Sequence, residues 1–262
     1  MSKSERSHYT RMPAPWVAGC SDVGLRHASN QDALCIAVRD MDDDRTALIA
    51  VADGVSTATG SEIASSVAVE QCVNVLQERL AQGLPENVAL VQAFSEAHRH
   101  VLDATVDGKP SACTLIAAYV RTGTISIANV GDSRAYWVAD DGTCTLLSTD
   151  DSMAQARIML GMSRDDAEQG DHAHAITKWL GRDATNVTPS VTTHHPAAGG
   201  WLILCTDGLW NYASAPEAMA TVFQEVRTRC EQPSDIAKGL VDWANQQGGK
   251  DNTTVTIARL DV

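Results

Sequence analysis

The order of the predicted elements indicates an α+β fold in which two antiparallel β-sheets pack face to face and pairs of helices cover the outside. Apolar segments of strand length occur in runs joined by short polar turns, as in antiparallel sheets. Segments with helical spacing occur in two consecutive pairs, within 61–106 and 216–247. The alternation of single strands and helices that builds a parallel sheet is missing. Together these observations predict a four-layer αββα sandwich.

In the first half of the chain, the spacing of apolar residues changes once, from a pattern typical of strands to one typical of helices. Apolar residues at three- and four-residue spacings predict a helix over 61–82, which Gly83 ends, and Pro85 opens a second helix that runs to about Val106. Before these helices, short segments rich in Val, Ile, Leu and Ala predict three strands, at 16–20, 33–39 and 46–52.

The second half begins with a meander of strands over 112–148, in which Asp141 and Gly142 form one of the turns. The stretch 150–190 has no clear period. The remaining pattern predicts strands near 191–195 and 201–206, helices near 216–229 and 234–247, and a final strand over 253–260.

The chain of 262 residues can bury one large core, with 44% apolar and 20% charged residues. No segment resembles a linker, and nothing repeats at a period of roughly 20 to 50 residues, so we expect a single domain over 15–262. Residues 1–14 are polar and contain Pro13, which predicts a flexible N-terminal tail.

The lengths of the apolar runs also indicate where in the cell the protein is expected. None approaches the roughly 20 residues needed to span a bilayer, and no secretory signal pattern is visible. Seven scattered cysteines without a C-x-x-C pair predict buried, reduced thiols. We therefore expect a cytoplasmic protein that does not contact membranes.

The formal net charge of −13 argues against nucleic-acid binding, because phosphate backbones are bound by clustered Lys and Arg. Such a chain favours cations nearby, which metal ions or basic segments of partner proteins would supply. The simpler alternative is that the charge only keeps the protein soluble.

Aspartates that end apolar strands are the main chemical feature. They are Asp53, Asp132, Asp207 and, just before the final strand, Asp251. Buried carboxylates near one another need a compensating cation, and oxygen-only ligands select Mg²⁺ or Mn²⁺. The glycine after the first of them, Gly54, would let the backbone turn and offer its carbonyl as a further ligand. A single Asp-Gly pair is more often an ordinary turn, but several such junctions favour the metal site.

Eight segments stand in a fixed order along the chain. They are SDVGLRHASNQDAL, VADGVSTATGSEIAS, ACTLIAAYV, IANVGDSRAYW, LSTDDS, AITKWLGRD, LILCTDGLW and GKDNTTVTI. Taken together, these segments resemble motifs of the protein phosphatase 2C family, also called PPM or metal-dependent protein phosphatases, in its bacterial type. The resemblance covers 16–262 and implies the same four-layer fold. It also implies an activity, the removal of phosphate from phosphoserine and phosphothreonine in proteins.

The resemblance implies roles for the site residues. Asp53 would bridge two metal ions, with the carbonyl of Gly54 on the second ion and with Asp207 and Asp251 on the first. Asp132, together with Asp207, would serve a possible third ion. The expected ions are Mn²⁺ or Mg²⁺.

The reaction follows from two-metal chemistry. Two ions lower the pKa of a bridging water, whose hydroxide form attacks phosphorus in line. Asp32 matches an aspartate that engages metal-bound water. The implied partners are phosphorylated proteins, substrates of a Ser/Thr protein kinase, and we expect a monomer.

Two departures from the family pattern concern the substrate side of the site. Many members have a phosphate-binding arginine five residues before the aspartate at position 32, where this chain has His27 preceded by Arg26. Protonated His27 would bind phosphate, or a bend would re-aim Arg26. The charged stretch 150–175 is predicted to form a mobile flap beside the site. Two alternatives are a catalytically weak phosphatase-fold regulator that binds a phosphoprotein, and a metal-binding domain without phosphatase chemistry.

Overall fold

The structure is a computed structural model that describes residues 8–41, 44–55, 58–104 and 111–261. Within these residues the strands are β1 (His8–Ala14), β2 (Val17–Asp22), β3 (Ala33–Met41), β4 (Asp44–Ala52), β5 (Ala112–Cys113), β6 (Leu115–Arg121), β7 (Thr124–Val130), β8 (Arg134–Ala139), β9 (Cys144–Leu146), β10 (Leu180–Gly181), β11 (Ser190–His194), β12 (Gly200–Cys205) and β13 (Thr253–Leu260). The helices are α1 (Ser61–Ala81), α2 (Glu86–Asp103), α3 (Met153–Met159), α4 (Arg164–Gln169), α5 (Asp207–Trp210), α6 (Pro216–Arg227) and α7 (Pro233–Gln246).

Two large antiparallel sheets form the centre of the fold. One has the strand order β1-β2-β13-β12-β8-β9, and the other has the order β11-β7-β6-β4-β3. A short third sheet joins β10 to β5. Helices α1 and α2 pack on the five-stranded sheet, and α6 and α7 pack on the six-stranded sheet. The predicted four-layer αββα sandwich is therefore confirmed.

Strand β4 is apolar on both faces because both faces are covered. Ile49 and Val51 pack with Leu204 of β12 in the core between the two sheets. Leu48 and Ala50 belong instead to the core beneath α1 and α2. Since neighbouring residues of a strand point to opposite faces, two-sided burial explains the continuous apolar run of this strand.

Strand β12 is covered in the same way. Its Leu202 joins the core between the sheets, whereas Ile203 and Cys205 pack with Phe223 of α6 and Leu240 of α7. Both strands that lead to an Asp-Gly pair are thus fixed by apolar packing on two sides.

The predicted tail is wrong for residues 8–14, which form β1. This strand pairs antiparallel with β2, from His8 opposite Asp22 to Arg11 opposite Gly19. It is the edge strand of its sheet, where Pro13 is tolerated because an outward N–H needs no partner. Residues 1–7 lie outside the described part of the chain.

The weakly patterned stretch after position 150 contains two short helices, α3 and α4. Serine side chains cap both: Ser152 Oγ accepts from Gln155 N (3.2 Å), and Ser163 Oγ accepts from Asp166 N (3.2 Å). The predicted end of the second helix, Val106, lies outside the described residues, and α2 ends at Asp103.

Two further expectations concern location and the cysteines. In the described parts of the chain, no helix combines the length and the apolar character needed to cross a membrane. The seven cysteines are free, but only four are buried, because Cys35, Cys144 and Cys230 are partly exposed.

Replacing Leu204 by Ala should lower the free energy of unfolding by roughly 2–5 kcal/mol, because it opens a cavity between the sheets. Leu160→Ala is the matched control, since that side chain is 89% exposed and its loss should cost less than about 0.5 kcal/mol. Urea denaturation measures both values. Equal midpoints for the two variants would contradict the assignment of this core.

Candidate metal centre

Asp53 directly follows β4 and is held on both sides by Thr114. Its N–H donates to Thr114 Oγ1 (3.0 Å), and its carbonyl oxygen accepts from Thr114 N–H (2.8 Å). The same hydroxyl lies 3.0 Å from Ser133 Oγ at the start of the neighbouring hairpin. These bonds fix the backbone of Asp53 relative to the strands on which the rest of the site lies.

The glycines after the two strand-ending aspartates are required by close packing. A Cβ on Gly54 would lie 2.6 Å from the carbonyl oxygen of Gln31, and one on Gly208 would lie 1.9 Å from that of Asn252. Neither glycine is among those with positive φ. Close approach of neighbouring backbone, rather than a left-handed dihedral angle, therefore excludes other residues at these two positions.

Asp207 and Asp32 each keep one carboxylate oxygen without a partner. Asp207 Oδ2 accepts from Asn211 Nδ2 (3.0 Å), and Asp32 Oδ2 accepts from Thr206 Oγ1 (2.9 Å). Oδ1 of both aspartates is buried and has no hydrogen-bond partner in the structure. An unsatisfied buried carboxylate oxygen is costly, so both atoms are suited to a cation or to a water that a cation holds.

Burial and mutual repulsion raise the pKa of four carboxyl groups here. For Asp53 the pKa lies well above its ordinary value, first because burial disfavours the charge and then because Asp32, Asp207, Asp132 and Asp251 lie nearby. Burial is also the largest cause of the raised pKa of Asp32, Asp132 and Asp207. The other four aspartates that the sequence singles out thus lie near enough to Asp53 for their charges to raise its pKa.

The donor set fits a hard divalent cation. All of the clustered side-chain donors are carboxylate oxygens, and a cation would offset the repulsion that raises their pKa. Within the described ranges, no group of three or more His, Cys, Asp or Glu side chains already surrounds a single ion position. Mg²⁺ and Mn²⁺ tolerate such an open arrangement, because Mg²⁺ in particular keeps several waters and takes only one or two carboxylates directly.

Asp132 lies at the far end of the cluster, after β7. It is only 5% exposed, and its pKa is raised first by burial and then by Asp207 and Asp150, while Arg134 opposes the shift. Its preceding residue, Gly131, has φ of 106° and donates its N–H to Asp151 Oδ2 (3.2 Å). Because this conformation favours glycine, the turn that presents Asp132 depends on both residues.

Asp151 has a structural role. Its carboxylate accepts from the N–H of Gly131 and forms an ion pair with Lys178 (3.0 Å). Its backbone N–H donates to the carbonyl oxygen of Gly131, and its carbonyl oxygen accepts from the N–H of Thr177 (both 2.7 Å). It therefore fastens the start of the 150–175 segment to the turn before Asp132.

His27, rather than Arg26, lies beside the cluster. His27 Nε2 is 3.3 Å from Asp251 Oδ1, whereas Arg26 is exposed. The same Asp251 oxygen accepts from the N–H of Asn252 (2.8 Å). Of the two phosphate-binding candidates, only the histidine contacts a predicted metal ligand.

Asn252 holds the loop that carries His27. Its Oδ1 accepts from Gln31 N (2.8 Å), and its Nδ2 donates to the carbonyl oxygens of Val23 (2.8 Å) and Ser29 (3.2 Å). The side chain is almost fully buried, at 3% exposure. The residue after Asp251 is therefore a clamp for the loop between β2 and β3.

Sequence reasoning missed a buried ion-pair cluster behind the site. Arg134 is 2% exposed, and its Nε and Nη2 donate to both carboxylate oxygens of Asp150 at 2.7–3.1 Å. It also donates to Ser214 Oγ (2.8 Å) and Glu168 Oε1 (3.2 Å), and its guanidinium lies 3.6 Å from the Trp210 ring centroid. The only hint in the sequence was an arginine directly after the GDS of GDSR.

The fold and the carboxylate cluster agree with the comparison to known families. The family model described as protein phosphatase 2C matches residues 25–245. The chain belongs to the protein phosphatase 2C family.

Known relatives and a solved structure support this assignment. Serine/threonine protein phosphatase PstP of Mycobacterium tuberculosis is 28% identical over 92% of this chain, which spans 44% of that protein's length. Serine/threonine phosphatase stp of Listeria innocua is 29% identical, with 82% of this chain and 84% of that protein covered. The solved serine/threonine phosphatase of S. agalactiae is 25% identical, with a TM-score of 0.74 over 97% of this chain and 100% of that one.

Replacing Asn252 by Ala should lower the free energy of unfolding by about 2–4 kcal/mol, because it leaves buried backbone groups of the loop 23–31 without partners. Asn74→Ala, on the exposed face of α1, is the control and should change stability by less than about 0.5 kcal/mol. Thermal denaturation compares the two. If Asn252→Ala were as stable as the control, the clamp would be disproved.

Proposed function

We propose that the chain is a metal-dependent phosphatase that removes phosphate from phosphoserine and phosphothreonine in proteins. The observation that supports this most is that four other aspartates lie near Asp53 in a member of this family. Relatives named serine/threonine phosphatases align over most of the chain. The proposed phosphatase domain spans 15–262 and includes β1 as its edge strand.

The proposed metal ligands are those predicted from the sequence. Asp53 would bridge two ions, Asp207 and Asp251 would complete the first, and the carbonyl of Gly54 would complete the second. Asp132, with Asp207, is the proposed position for a third. Mn²⁺ or Mg²⁺ suits these oxygen donors, and when bound the ions would activate a water and offset charge on the phosphoryl oxygens.

Asp32 is the proposed residue that orients the attacking water. Thr206 Oγ1 fixes its Oδ2, which leaves the unpartnered Oδ1 free to accept a hydrogen bond from that water. The Thr206 hydroxyl itself accepts from Thr254 N (3.0 Å), so the carboxylate is held by two strands of the six-stranded sheet. Such fixed orientation is a source of rate acceleration.

His27 is the proposed contact for substrate phosphate. It lies against Asp251, so a phosphate drawn to the carboxylate-bound cations would pass within reach of the imidazole. An imidazole N–H can donate to a phosphoryl oxygen, though without the two parallel bonds of a guanidinium. Arg26 remains the alternative.

The proposed substrates are proteins phosphorylated by a Ser/Thr protein kinase, and the proposed state is a monomer. A catalytically weak regulator with the same fold is the second candidate, because His27 replaces an expected arginine. The complete aspartate cluster favours the enzyme. A protein that binds Mn²⁺ but releases no phosphate from phosphopeptides or p-nitrophenyl phosphate would instead support the regulator.

Asp207→Asn should reduce kcat/KM for a phosphopeptide by roughly a hundredfold or more in the presence of Mn²⁺, because it removes a proposed ligand charge. Asp235→Asn, an exposed aspartate on α7, is the control and should leave the rate within about twofold. Calorimetric titration with Mn²⁺ should show weakened binding only for the first variant. Full activity of Asp207→Asn would refute the proposed site.

His27→Ala should raise KM for a phosphopeptide by roughly tenfold, because a hydrogen bond to a charged phosphate is lost. Arg26→Ala should leave KM within about twofold. Steady-state kinetics at saturating Mn²⁺ separates the two. The reverse pattern would assign phosphate binding to Arg26, and a change in kcat alone would mean that His27 acts by positioning Asp251.

A further inference from the structure

A small cavity lies between α4 and α5, outside the proposed set of metal ligands. Its volume is about 220 Å³, enough for one long side chain. Its lining is polar except for one aromatic ring. The lining residues are Asp165, Glu168, Gln169, His174, Trp210, Asn211 and Ser214.

The cavity adjoins the metal centre through Asn211. This residue lines the cavity and also donates its Nδ2 to Asp207 Oδ2 (3.0 Å). A peptide with its phosphate at the aspartate cluster and its chain on this side would reach the cavity within a few residues, since an extended chain advances roughly 3.3 Å per residue.

The α4 side of the cavity is acidic. Residues 163–171 contain four acidic residues and one basic residue. The carboxylate of Glu168 already has partners, because its Oε1 accepts hydrogen bonds from Arg134, Arg164 and Ser214. Asp165 is exposed, and the structure gives its carboxylate neither an ion pair nor a hydrogen bond among the described residues. One carboxylate in the lining thus remains available to a cation.

Trp210 gives the cavity an apolar wall and a free donor. The side chain is 98% buried, with Arg134 held 3.6 Å from its ring centroid and the exposed His174 ring at 5.8 Å. Its indole N–H has no hydrogen-bond partner. A buried N–H without a partner is unusual, and a carbonyl oxygen from an entering peptide would supply one.

We infer that this cavity binds the side chain of a lysine or arginine that lies close to the phosphorylated residue of a substrate. The inference rests on the proposed function and specifies its substrate class. Such a side chain packs its methylene groups against an aromatic wall while its charged end meets a carboxylate, here Trp210 and Asp165. A bare metal ion would leave most of the volume and the ring unused. The net charge of −13 favours the same kind of partner.

Paired phosphopeptides test the inference. Each pair has lysine or the uncharged norleucine at one position, from three residues before to three residues after the phosphothreonine. We expect lysine to raise kcat/KM by roughly three- to tenfold at one or two of these positions. Asp165→Asn should abolish that preference without changing the hydrolysis of p-nitrophenyl phosphate, which has no flanking residue.

The matched control is Asp171→Asn, which removes the same charge from the same segment but does not line the cavity. It should keep the lysine preference. Asp165→Lys should reverse the preference toward peptides with glutamate at the same position. Equal loss in both Asn variants would mean a general effect of charge and would overturn the inference.

The outcomes separate this inference from the proposed function. Hydrolysis of p-nitrophenyl phosphate and of all peptides with equal kcat/KM would overturn the inference alone. If no substrate of either kind were hydrolysed with Mn²⁺ or Mg²⁺, the proposed function would fail, and the inference would fail with it.

Discussion

Repulsion among buried carboxylates is the interaction on which the rest of this structure depends. Asp53 and Asp207 leave strands that are covered on both faces, so their charges cannot move far into water. Burial and the neighbouring aspartates together raise the pKa of both groups. Holding these charges together without a cation would cost stability, and this cost is the physical basis of the proposed metal site.

Holding such a cluster together requires clamps from distant parts of the chain. Thr114, between β5 and β6 and 61 positions further along the chain, bonds to the backbone N–H and carbonyl oxygen of Asp53. Asn252 fixes the loop that ends at Gln31 from the other end of the sequence. These are buried hydrogen bonds to backbone groups, which tolerate little displacement. Loss of these hydrogen bonds would lower the stability of the fold without removing a charge from the site. Thr114 and Asn252 therefore differ in role from the aspartates, because they position the site and carry none of its charge.

The sequence predicted the central strands and the four long helices well, because apolar runs and helical spacing report burial directly. Four of the aspartates, Asp53, Asp132, Asp207 and Asp251, could be singled out because they lie next to apolar strands, whereas Asp32 was singled out only through the family resemblance. Sequence reasoning failed for β1, whose pairing at a sheet edge depends on backbone bonds and leaves no apolar pattern in His8–Ala14. It did not reveal that close packing requires Gly54 and Gly208, because their contacts with the backbone of Gln31 and Asn252 join distant segments. The sequence also did not reveal the ion-pair cluster of Arg134, because its contacts join distant segments.

Arg134 shows why such distant contacts matter for function. A buried ion pair often contributes little net stability, because desolvation offsets the attraction. Arg134 nevertheless joins Asp150 at the start of the 150–175 segment, Glu168 on α4 and Trp210 on α5, the helix that begins with Asp207. Its role is therefore better explained by geometry: it fixes α4 and its acidic side chains at a set position relative to the proposed metal ligands. If the chain is the proposed phosphatase, this fixed position would let α4 contact the residues of a substrate that flank the phosphate.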